Sequence, residues 1–417
     1  MNAVDVVEDT PAEAALRREV RAWVEEFWDP RTDPATGWVT VIESGWAYST
    51  FPTDACGRGV APELAHVVDA ELERAGAGNP VAGSINDVYI RFMGYTMAEH
   101  GSKEMKRTIL PKLLRGELGQ GCLLYSEPGA GSDLGALQTR ATRDGDGYFV
   151  NGQKIWSSMA ATAEWGLLIA RTNWDVAKHR GLSFFFFPFK IDGERQQGVD
   201  IRPIRQINGE THFNEVFFTN AWVPAANLVG DEDDGWRVLQ TALTAERLSM
   251  GRIFRNTDPG FGGTPVLHAA ADFMEAARAA GKGNDLVIRQ AIAQIHSWRL
   301  VQQWTGERAA AEMKSNGASS LASLGKLANS RILHSTASLL RLLAGPTALL
   351  FDYDDLDRTT PNFRAMGAFV NSIGGGSDQI QRNIIGERIL GLPKAPEPDR
   401  GRPFRDVPKG VAVRKFS

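Results

Sequence analysis

The sequence predicts an α+β multidomain protein, in which a helical block, a β-rich block and a second helical block follow one another. Apolar residues recur at helical spacing in the first block, short β-rich runs fill the second, and the helical period returns in the third. Its 417 residues are too many for one ordinary domain. We therefore expect an N-terminal helical domain over 1–119, a central antiparallel β domain over 120–232 and a C-terminal helical domain over 233–417.

In the N-terminal block, the first helix is predicted over residues 12–28. Leu16, Val20 and Phe27 lie on one face of that helix, at positions i, i+4 and i+11. The same test predicts further helices over 62–75, 84–99 and 103–115.

The β block is predicted to contain short strands separated by glycine-bearing turns such as residues 144–147. Strands are expected over 121–125, 148–150, 166–170, 182–187 and 213–219. In the C-terminal block, helix is expected almost to the end of the chain. The exception is residues 256–264, whose glycines and proline cannot continue a helix.

Charge and composition exclude several classes of protein. The 46 Lys and Arg residues against 50 Asp and Glu give a net charge of −4, which argues against nucleic acid or an anionic membrane as a partner. Cys56 and Cys122 form neither a disulfide framework nor a CxxC pair, and the histidines form no HExxH motif, so no metal site is expected. The first ten residues lack a basic start, and no apolar run approaches the roughly 20 residues that span a bilayer. We expect a cytoplasmic protein with no membrane insertion.

The most informative segment is Tyr-Ser-Glu-Pro-Gly-Ala-Gly-Ser-Asp at residues 125–133. Its two glycines let backbone N–H groups approach a phosphate, and Ser126 and Ser132 add hydroxyl donors. The segment matches neither the GxGxxG fingerprint nor the GxSxG nucleophile elbow. Taken alone, it is either a ligand-binding loop or an ordinary turn.

A second segment, Val-Asn-Gly-Gln-Lys-Ile-Trp-Ser-Ser, occupies residues 150–158. Asn151-Gly152 predicts a hairpin turn, which would place Trp156 and Ser158 on one face of the outgoing strand. Such a pair could cover a planar ring and hydrogen-bond its edge. The alternative is an ordinary sheet tryptophan beside a surface serine.

A third segment begins with glycines at 374–376 and continues through Ser-Asp-Gln-Ile-Gln-Arg to Leu-Gly-Leu-Pro at 390–393. Glycines before a helix N-terminus suit an anion or the polar edge of a cofactor, and the alternative is a hinge between helices. Together, in this order within an α–β–α chain, the three segments resemble the acyl-CoA dehydrogenase family over about residues 12–393. Residues 213–236 are also similar to the last β-domain strands of that family and to the glycine entry of its long helix.

The resemblance implies an FAD site. Ser126 matches the hydroxyl residue that bonds the flavin, and Ser132 matches the serine near the cofactor pyrophosphate and the substrate. Trp156 matches the tryptophan against the flavin ring, and Ser158 the threonine near its reactive nitrogen. The remaining residues implied to bind the cofactor are Tyr125, Ser157, Arg278, Ser377 and Gln379. Arg278 stands in Arg-Ala-Ala-Gly, which lacks the phenylalanine of the family's Arg-x-x-Phe-Gly contact to a neighbouring subunit.

The resemblance also implies a glutamate as the catalytic base. The commonest family pattern has a glutamate where this chain has Gly375, whereas a branch that includes isovaleryl-type enzymes carries it on the long helix after the β domain. Leu239, Glu246 and Met250 fall at i, i+7 and i+11, which puts Glu246 in the apolar stripe of that helix. Desolvation would make this carboxylate a better base, and Arg247 beside it would limit the effect and contact the substrate. The alternative is a structural Glu246–Arg247 ion pair.

The resemblance implies α,β-dehydrogenation of an acyl-CoA, with electrons passed to an electron-transferring flavoprotein, in a homo- or hetero-oligomer. Within the family, the chain resembles the steroid and branched-acyl-CoA dehydrogenases of actinobacteria, and the insert at 257–265 is consistent with a branched or bulky acyl group. Two alternatives remain open. The fold also serves acyl-CoA oxidases and flavin monooxygenases, and the chain could be a structural or cofactor-sharing partner subunit.

Overall fold

The computed structural model describes residues 9–82, 84–243, 270–316, 321–352 and 360–408. The chain divides into two compact units. The first unit comprises Met1–Leu118 and Ala311–Ala318, and the second comprises Gly119–Ala310 and Ser319–Ser417. The second unit contains the β-rich part of the chain.

The first unit is helical, as predicted for the N-terminal block. Its N-terminal stretch contains α1 (Pro11–Phe27), α2 (Pro34–Glu43), α3 (Ala65–Arg74), α4 (Ile85–His100), α5 (Lys103–Thr108) and α6 (Leu110–Leu114). Val20 of α1, Val41 of α2 and Val68 of α3 belong to one buried apolar cluster. The periodicity of α1 therefore reflects a face that packs against its neighbours.

Two details differ from the predicted helices. The periodicity does not predict α2, yet Asp33 caps this helix by accepting a hydrogen bond from the Thr36 N–H at 3.0 Å. The single helix predicted over 103–115 is two helices, α5 and α6. Pro111 lies in the first turn of α6, where its missing N–H cannot continue the hydrogen-bond ladder of α5.

The second unit contains an eight-stranded sheet, so the central and mostly antiparallel β domain is confirmed. The strands are β1 (Gly121–Leu124), β2 (Arg140–Asp144), β3 (Gly147–Lys154), β4 (Trp165–Arg171), β5 (Leu182–Pro188), β6 (Lys190–Ile191), β7 (Glu194–Arg195), β8 (Val199–Ile204), β9 (Phe213–Pro224) and β10 (Leu228–Val229). Their order is β10-β5-β4-β2-β3-β9-β8, with β1 paired to β4 and with β6 and β7 forming a separate hairpin. Pairing is parallel where β4 meets β1 and β2, and antiparallel in the other pairs of this sheet.

The central strands explain the apolar runs of the sequence. Every residue of β4 is buried, and so are the four phenylalanines at 184–187 in β5. A strand that is covered on both faces needs no alternation of polar residues. Arg171, the last residue of β4, is the one charged residue of this strand, and it is also fully buried.

The prediction of a hairpin turn at Asn151-Gly152 is wrong. Both residues lie inside β3, at a point where its register with β9 shifts, and the turn that precedes β3 is at 144–147. Gly152 has a φ of 148°, and a Cβ there would lie 2.7 Å from the Cα of Thr139. Glycine is therefore required here by the close approach of another backbone segment, not by a turn.

In the described ranges, further helices follow the sheet along the chain. They are α7 (described over residues 235–243), α8 (Ala270–Ala279), α9 (Leu286–Asn316), α10 (Ala322–Ala344), α11 (Pro361–Ile373) and α12 (Asp378–Ile384). Phe273, Ile292 and Leu339 lie in the buried cluster that joins α8, α9 and α10. Beyond α12 and one short π-helical turn, residues 391–403 are not helical, contrary to the prediction. None of the helices in the described ranges is long and apolar enough to cross a membrane.

Candidate cofactor and active site

The loop at residues 125–133 leaves the sheet after β1 and presents open backbone to solvent. Gly129 and Gly131 are exposed, and a Cβ added at either would meet no atom within 4 Å. Ser132 is exposed and Ser126 half-buried. Tyr125 is buried instead, with its ring centroid 5.9 Å from that of Phe184. The serines and glycines are thus accessible to a ligand, while the Tyr125 ring belongs to the core.

Trp156 follows the end of β3 in an unusual backbone conformation. Its φ is 63°, a left-handed value that costs a bulky residue free energy and that is enriched at functional sites. Its side chain is 55% exposed, and it meets the Phe213 ring edge-on at a centroid distance of 5.9 Å. Because β3 ends at Lys154, Trp156 and Ser158 do not share a strand face, and that part of the prediction is wrong. An exposed indole in a fixed, strained position suits the face of a planar ligand.

The backbone of Ser157, the residue between Trp156 and Ser158, pairs with that of Asn214 in β9. The Ser157 N–H donates to the Asn214 carbonyl at 3.0 Å, and the Asn214 N–H donates back at 3.2 Å. The Ser157 hydroxyl is buried and has no hydrogen-bond partner within the described part of the chain. An orphaned polar atom costs roughly 1–3 kcal/mol. Residues 156–158 therefore fit a ligand that brings polar atoms to an aromatic surface.

The structure brings the first two predicted segments together. The Ile155 N–H donates to the Ser126 carbonyl at 2.9 Å, and the Lys154 ammonium contacts the Glu127 carboxylate at 2.9 Å. The loop with Ser126 and the segment with Trp156 are consequently neighbours. Sequence reasoning missed Lys154 and Glu127, although a charged residue at the end of an apolar strand could have indicated a buried partner.

The third predicted segment is held within the C-terminal helices. Ser377 caps α12 by accepting a hydrogen bond from the Ile380 N–H at 3.3 Å, and Gln379 is exposed. The Asp378 carboxylate accepts a hydrogen bond from Ser330 of α10 at 2.8 Å. Gly375 has a left-handed φ of 64°, so a residue with a side chain would be strained there by about 1–3 kcal/mol.

Arg278 lies in the last turn of α8 and is exposed. With Lys282 and Arg289 it lines a cavity of about 550 Å³. The Lys282 ammonium is already engaged by the carbonyls of Leu342 and Leu343 near the end of α10. Arg278 is therefore still a candidate to contact an anionic group at this cavity.

The predicted base, Glu246, and its neighbour Arg247 lie outside the described residues, as does the insert at 257–265. The described part of α7 runs over residues 235–243, and Leu239 in it is fully buried. In the ranges that the structure describes, no three His, Cys, Asp or Glu side chains are grouped as metal ligands would be.

Comparison with known proteins covers nearly the whole chain. Models of the acyl-CoA dehydrogenase N-terminal, middle and C-terminal domains match residues 10–117, 122–221 and 233–390. The chain is 35% identical over 364 residues to acyl-CoA dehydrogenase IpdE1 of Mycolicibacterium smegmatis. The aligned region covers 82% of this chain and 84% of that protein.

The solved structures with a similar fold include two whose names join two different proteins. The Tcur3481-Tcur3483 steroid ACAD matches with a TM-score of 0.66 at 22% identity, over 93% of this chain and 99% of that chain. The ChsE4-ChsE5 complex of Mycobacterium tuberculosis matches with a TM-score of 0.60 at 27% identity, over 93% of this chain and 100% of that chain. The first of these likenesses is one of fold alone.

Proposed function

The chain belongs to the acyl-CoA dehydrogenase family, whose members bind FAD, and on that premise we propose that it removes one hydrogen each from the α and β carbons of an acyl-CoA thioester. The observation that carries the proposal is the exposed indole of Trp156, fixed in a left-handed conformation beside the loop of Ser126. When bound, FAD supplies a hydride acceptor for the β carbon.

The residues of this chain would hold the cofactor from several sides. Trp156 would lie against the flavin ring, with Ser126, Ser157 and Ser158 near its polar edge. Ser132, on the exposed end of the loop, is placed to meet the pyrophosphate and the substrate. Tyr125 would contribute from the core by supporting the loop. The family resemblance supports these roles, and the exposure of the serine-bearing loop is consistent with them.

The C-terminal part of the chain would complete the cofactor site. Ser377 and Gln379 belong to the segment that helps enclose FAD in the family. Arg278 would meet an anionic part of the cofactor through the polar cavity that it lines. Its guanidinium is permanently charged, which suits a pyrophosphate.

The proton chemistry would belong to Glu246. Its carboxylate would take the α proton as the β hydride leaves, so that a carbon–carbon double bond forms with no other change to the thioester. Two observations support the assignment: Leu239, seven residues earlier in the predicted stripe, is fully buried, and Gly375 stands at the other family position for the base. Arg247 would limit the cost of an ionised carboxylate in that stripe and contact the substrate.

The electron acceptor and the acyl group are further parts of the proposal. We infer an electron-transferring flavoprotein as acceptor, because it serves this family, and a branched or bulky acyl group such as a steroid side chain. An acyl-CoA oxidase would use oxygen instead. Stopped-flow reoxidation of the reduced flavin in air separates the two, since a dehydrogenase reoxidises slowly.

The test of the proposed activity is the visible spectrum of the purified protein. We expect a bound-flavin spectrum that bleaches when an acyl-CoA is added anaerobically. The panel should contain linear, branched and steroid-side-chain thioesters, so that the same experiment identifies the acyl class. A protein that never holds FAD, alone or with plausible partner chains, would contradict the proposal.

Trp156→Ala should weaken FAD binding by about 5- to 150-fold, because stacking of an aromatic side chain on a planar base is worth roughly 1–3 kcal/mol. The Kd is measured by titrating flavin-free protein with FAD. Trp222→Ala is the matched control, because Trp222 also stands in an edge-on aromatic pair, with Phe149. Equal Kd values for the two variants would remove Trp156 from the site.

A second candidate function is that of a partner subunit in a hetero-oligomer. The missing phenylalanine after Arg278 favours it, because the family's contact from a neighbouring subunit is then incomplete. The ChsE4-ChsE5 complex, whose name joins two different proteins, adds support. Light scattering of the flavin-loaded protein measures the assembly, and a stable, active monomer would rule out both the homo- and the hetero-oligomer.

A further inference from the structure

Three charged side chains are buried at the loop that runs from residue 125 to 139, and the chemistry proposed above uses none of them. Glu127 belongs to the loop itself, whereas Lys154 and Arg171 come from β3 and β4. Lys154 and Arg171 are fully buried, and Glu127 is 9% exposed. Charged residues are almost never buried this deeply unless each has partners. Their partners are mostly backbone groups of the loop itself.

Glu127 holds the C-terminal end of the loop. Its carboxylate accepts hydrogen bonds from the backbone N–H groups of Gln138 at 2.6 Å and Thr139 at 2.8 Å. Burial opposes ionisation, but the Lys154 ammonium and these donors outweigh it and hold the pKa of Glu127 below its usual range. One side chain near the start of the loop thus fixes two peptide groups near its end.

Lys154 ties the loop to the segment that carries Trp156. Its ammonium donates to the Tyr125 carbonyl and to the Glu127 carboxylate, both at 2.9 Å. Burial lowers the pKa of Lys154, and the Glu127 carboxylate counteracts that effect. The next residue, Ile155, donates its N–H to the Ser126 carbonyl. Two consecutive residues of one segment therefore bind consecutive carbonyls of the other.

Arg171 holds the middle of the loop. Its guanidinium donates to the carbonyls of Gly135 at 2.7 Å and Leu137 at 3.2 Å, and its own N–H donates to the Thr139 carbonyl at 2.7 Å. The Phe404 ring covers the guanidinium, with its centroid 3.5 Å from Cζ. Burial lowers the pKa of Arg171 to about 10, so it keeps its charge at neutral pH.

We propose that Glu127, Lys154 and Arg171 are positioning residues that form the cofactor-binding shape of the loop at 125–139 before FAD arrives. The inference rests on the proposed function, because the loop is an FAD loop only under that proposal. A buried ion pair adds little net stability compared with apolar residues of the same size. The three side chains do, however, hold five backbone groups of the loop in place. FAD binding therefore loses less free energy to ordering the loop than it would if the loop were free.

The test uses two variants that leave no unpaired buried charge. Glu127→Gln/Lys154→Met removes both charges of the pair. Arg171→Lys keeps the charge but loses the planar fork that reaches three carbonyls, those of Gly135, Leu137 and Lys178. Lys190→Met is the matched control, since it breaks a Lys–Glu pair of the same unit that is exposed, with Glu164 at 3.1 Å. Each protein is measured flavin-free by amide hydrogen exchange, and then titrated with FAD.

We expect the two variants to bind FAD about 10-fold or more weakly, as when supporting partners of a site are lost. The amides of Gln138, Thr139 and Ile155 should exchange faster in both, and the control should match the wild type. A role in global stability alone would not change the Kd, because at a temperature where a variant is almost fully folded the binding-competent fraction is near one.

Unchanged Kd values and unchanged amide protection in both variants would overturn the inference and leave the proposed function standing. A wild-type protein that binds no FAD would overturn the proposed function. In that case the amide protection of the flavin-free protein still decides whether the three side chains hold the loop.

Discussion

Glu246→Gln is expected to lower the rate of flavin reduction by acyl-CoA by about 10²–10⁴-fold, which is the usual worth of a positioned general base. Glutamine keeps the size and hydrogen-bonding capacity of the side chain but cannot accept the α proton. FAD and acyl-CoA should therefore still bind. Anaerobic stopped-flow bleaching of the flavin measures the rate directly.

Glu275→Gln provides the control for that experiment, because Glu275 is an exposed carboxylate on α8. Gly375→Glu, added to Glu246→Gln, tests whether the two family positions serve one α carbon. Rescue should be partial, since the left-handed backbone of Gly375 costs a residue with a side chain about 1–3 kcal/mol. Near-normal bleaching in Glu246→Gln alone would return Glu246 to a structural ion pair with Arg247.

Lys154→Met is expected to lower the free energy of unfolding by about 3–5 kcal/mol, because it leaves the Glu127 carboxylate buried without its ammonium partner. The thermal midpoint of the flavin-free protein should fall by about 5 °C or more. Adding Glu127→Gln removes the unpaired charge, so the double variant should recover most of the loss. The recovery distinguishes a stranded charge from a simple loss of packing.

Lys190→Met again provides the comparison, because exposed ion pairs contribute only about 0–1 kcal/mol. Its midpoint should stay close to that of the wild type. If Lys154→Met alone were as stable as the wild type, the Glu127–Lys154 pair would not be desolvated in solution. If the double variant were no more stable than Lys154→Met, the loss would come from packing and not from the carboxylate.

Much of the fold could be predicted from the sequence because its signals are local. The helical period of α1, the apolar runs that became β4 and β5, and the glycines before α12 each act over a few residues. The order of helical, β-rich and helical blocks follows from these signals. The family resemblance supplied the cofactor, since YSEPGAGSD and VNGQKIWSS are read as strings and do not depend on how the chain folds.

The details of the candidate site depended on partners far away in the chain. Asn151-Gly152 carries a hairpin signal, yet pairing with β9 and the approach of Thr139 keep it inside a strand. A local turn preference is worth less than several ladder hydrogen bonds and a buried strand face. The pairing of β3 with β9 ends at Lys154, opposite Val216, and Trp156 beyond it has a left-handed backbone.

The sequence by itself determined the order of the blocks and predicted which residues could face a flavin, and only the tertiary structure decided what holds those residues. Glu127, Lys154 and Arg171 show the difference, because in the sequence they are three unrelated charged residues. Folding of the sheet brings all three together at one loop. There they satisfy their charges with backbone groups of that loop and, for Glu127 and Lys154, with each other. No local pattern encodes that arrangement, since burial and pairing arise only when strands distant in sequence come together.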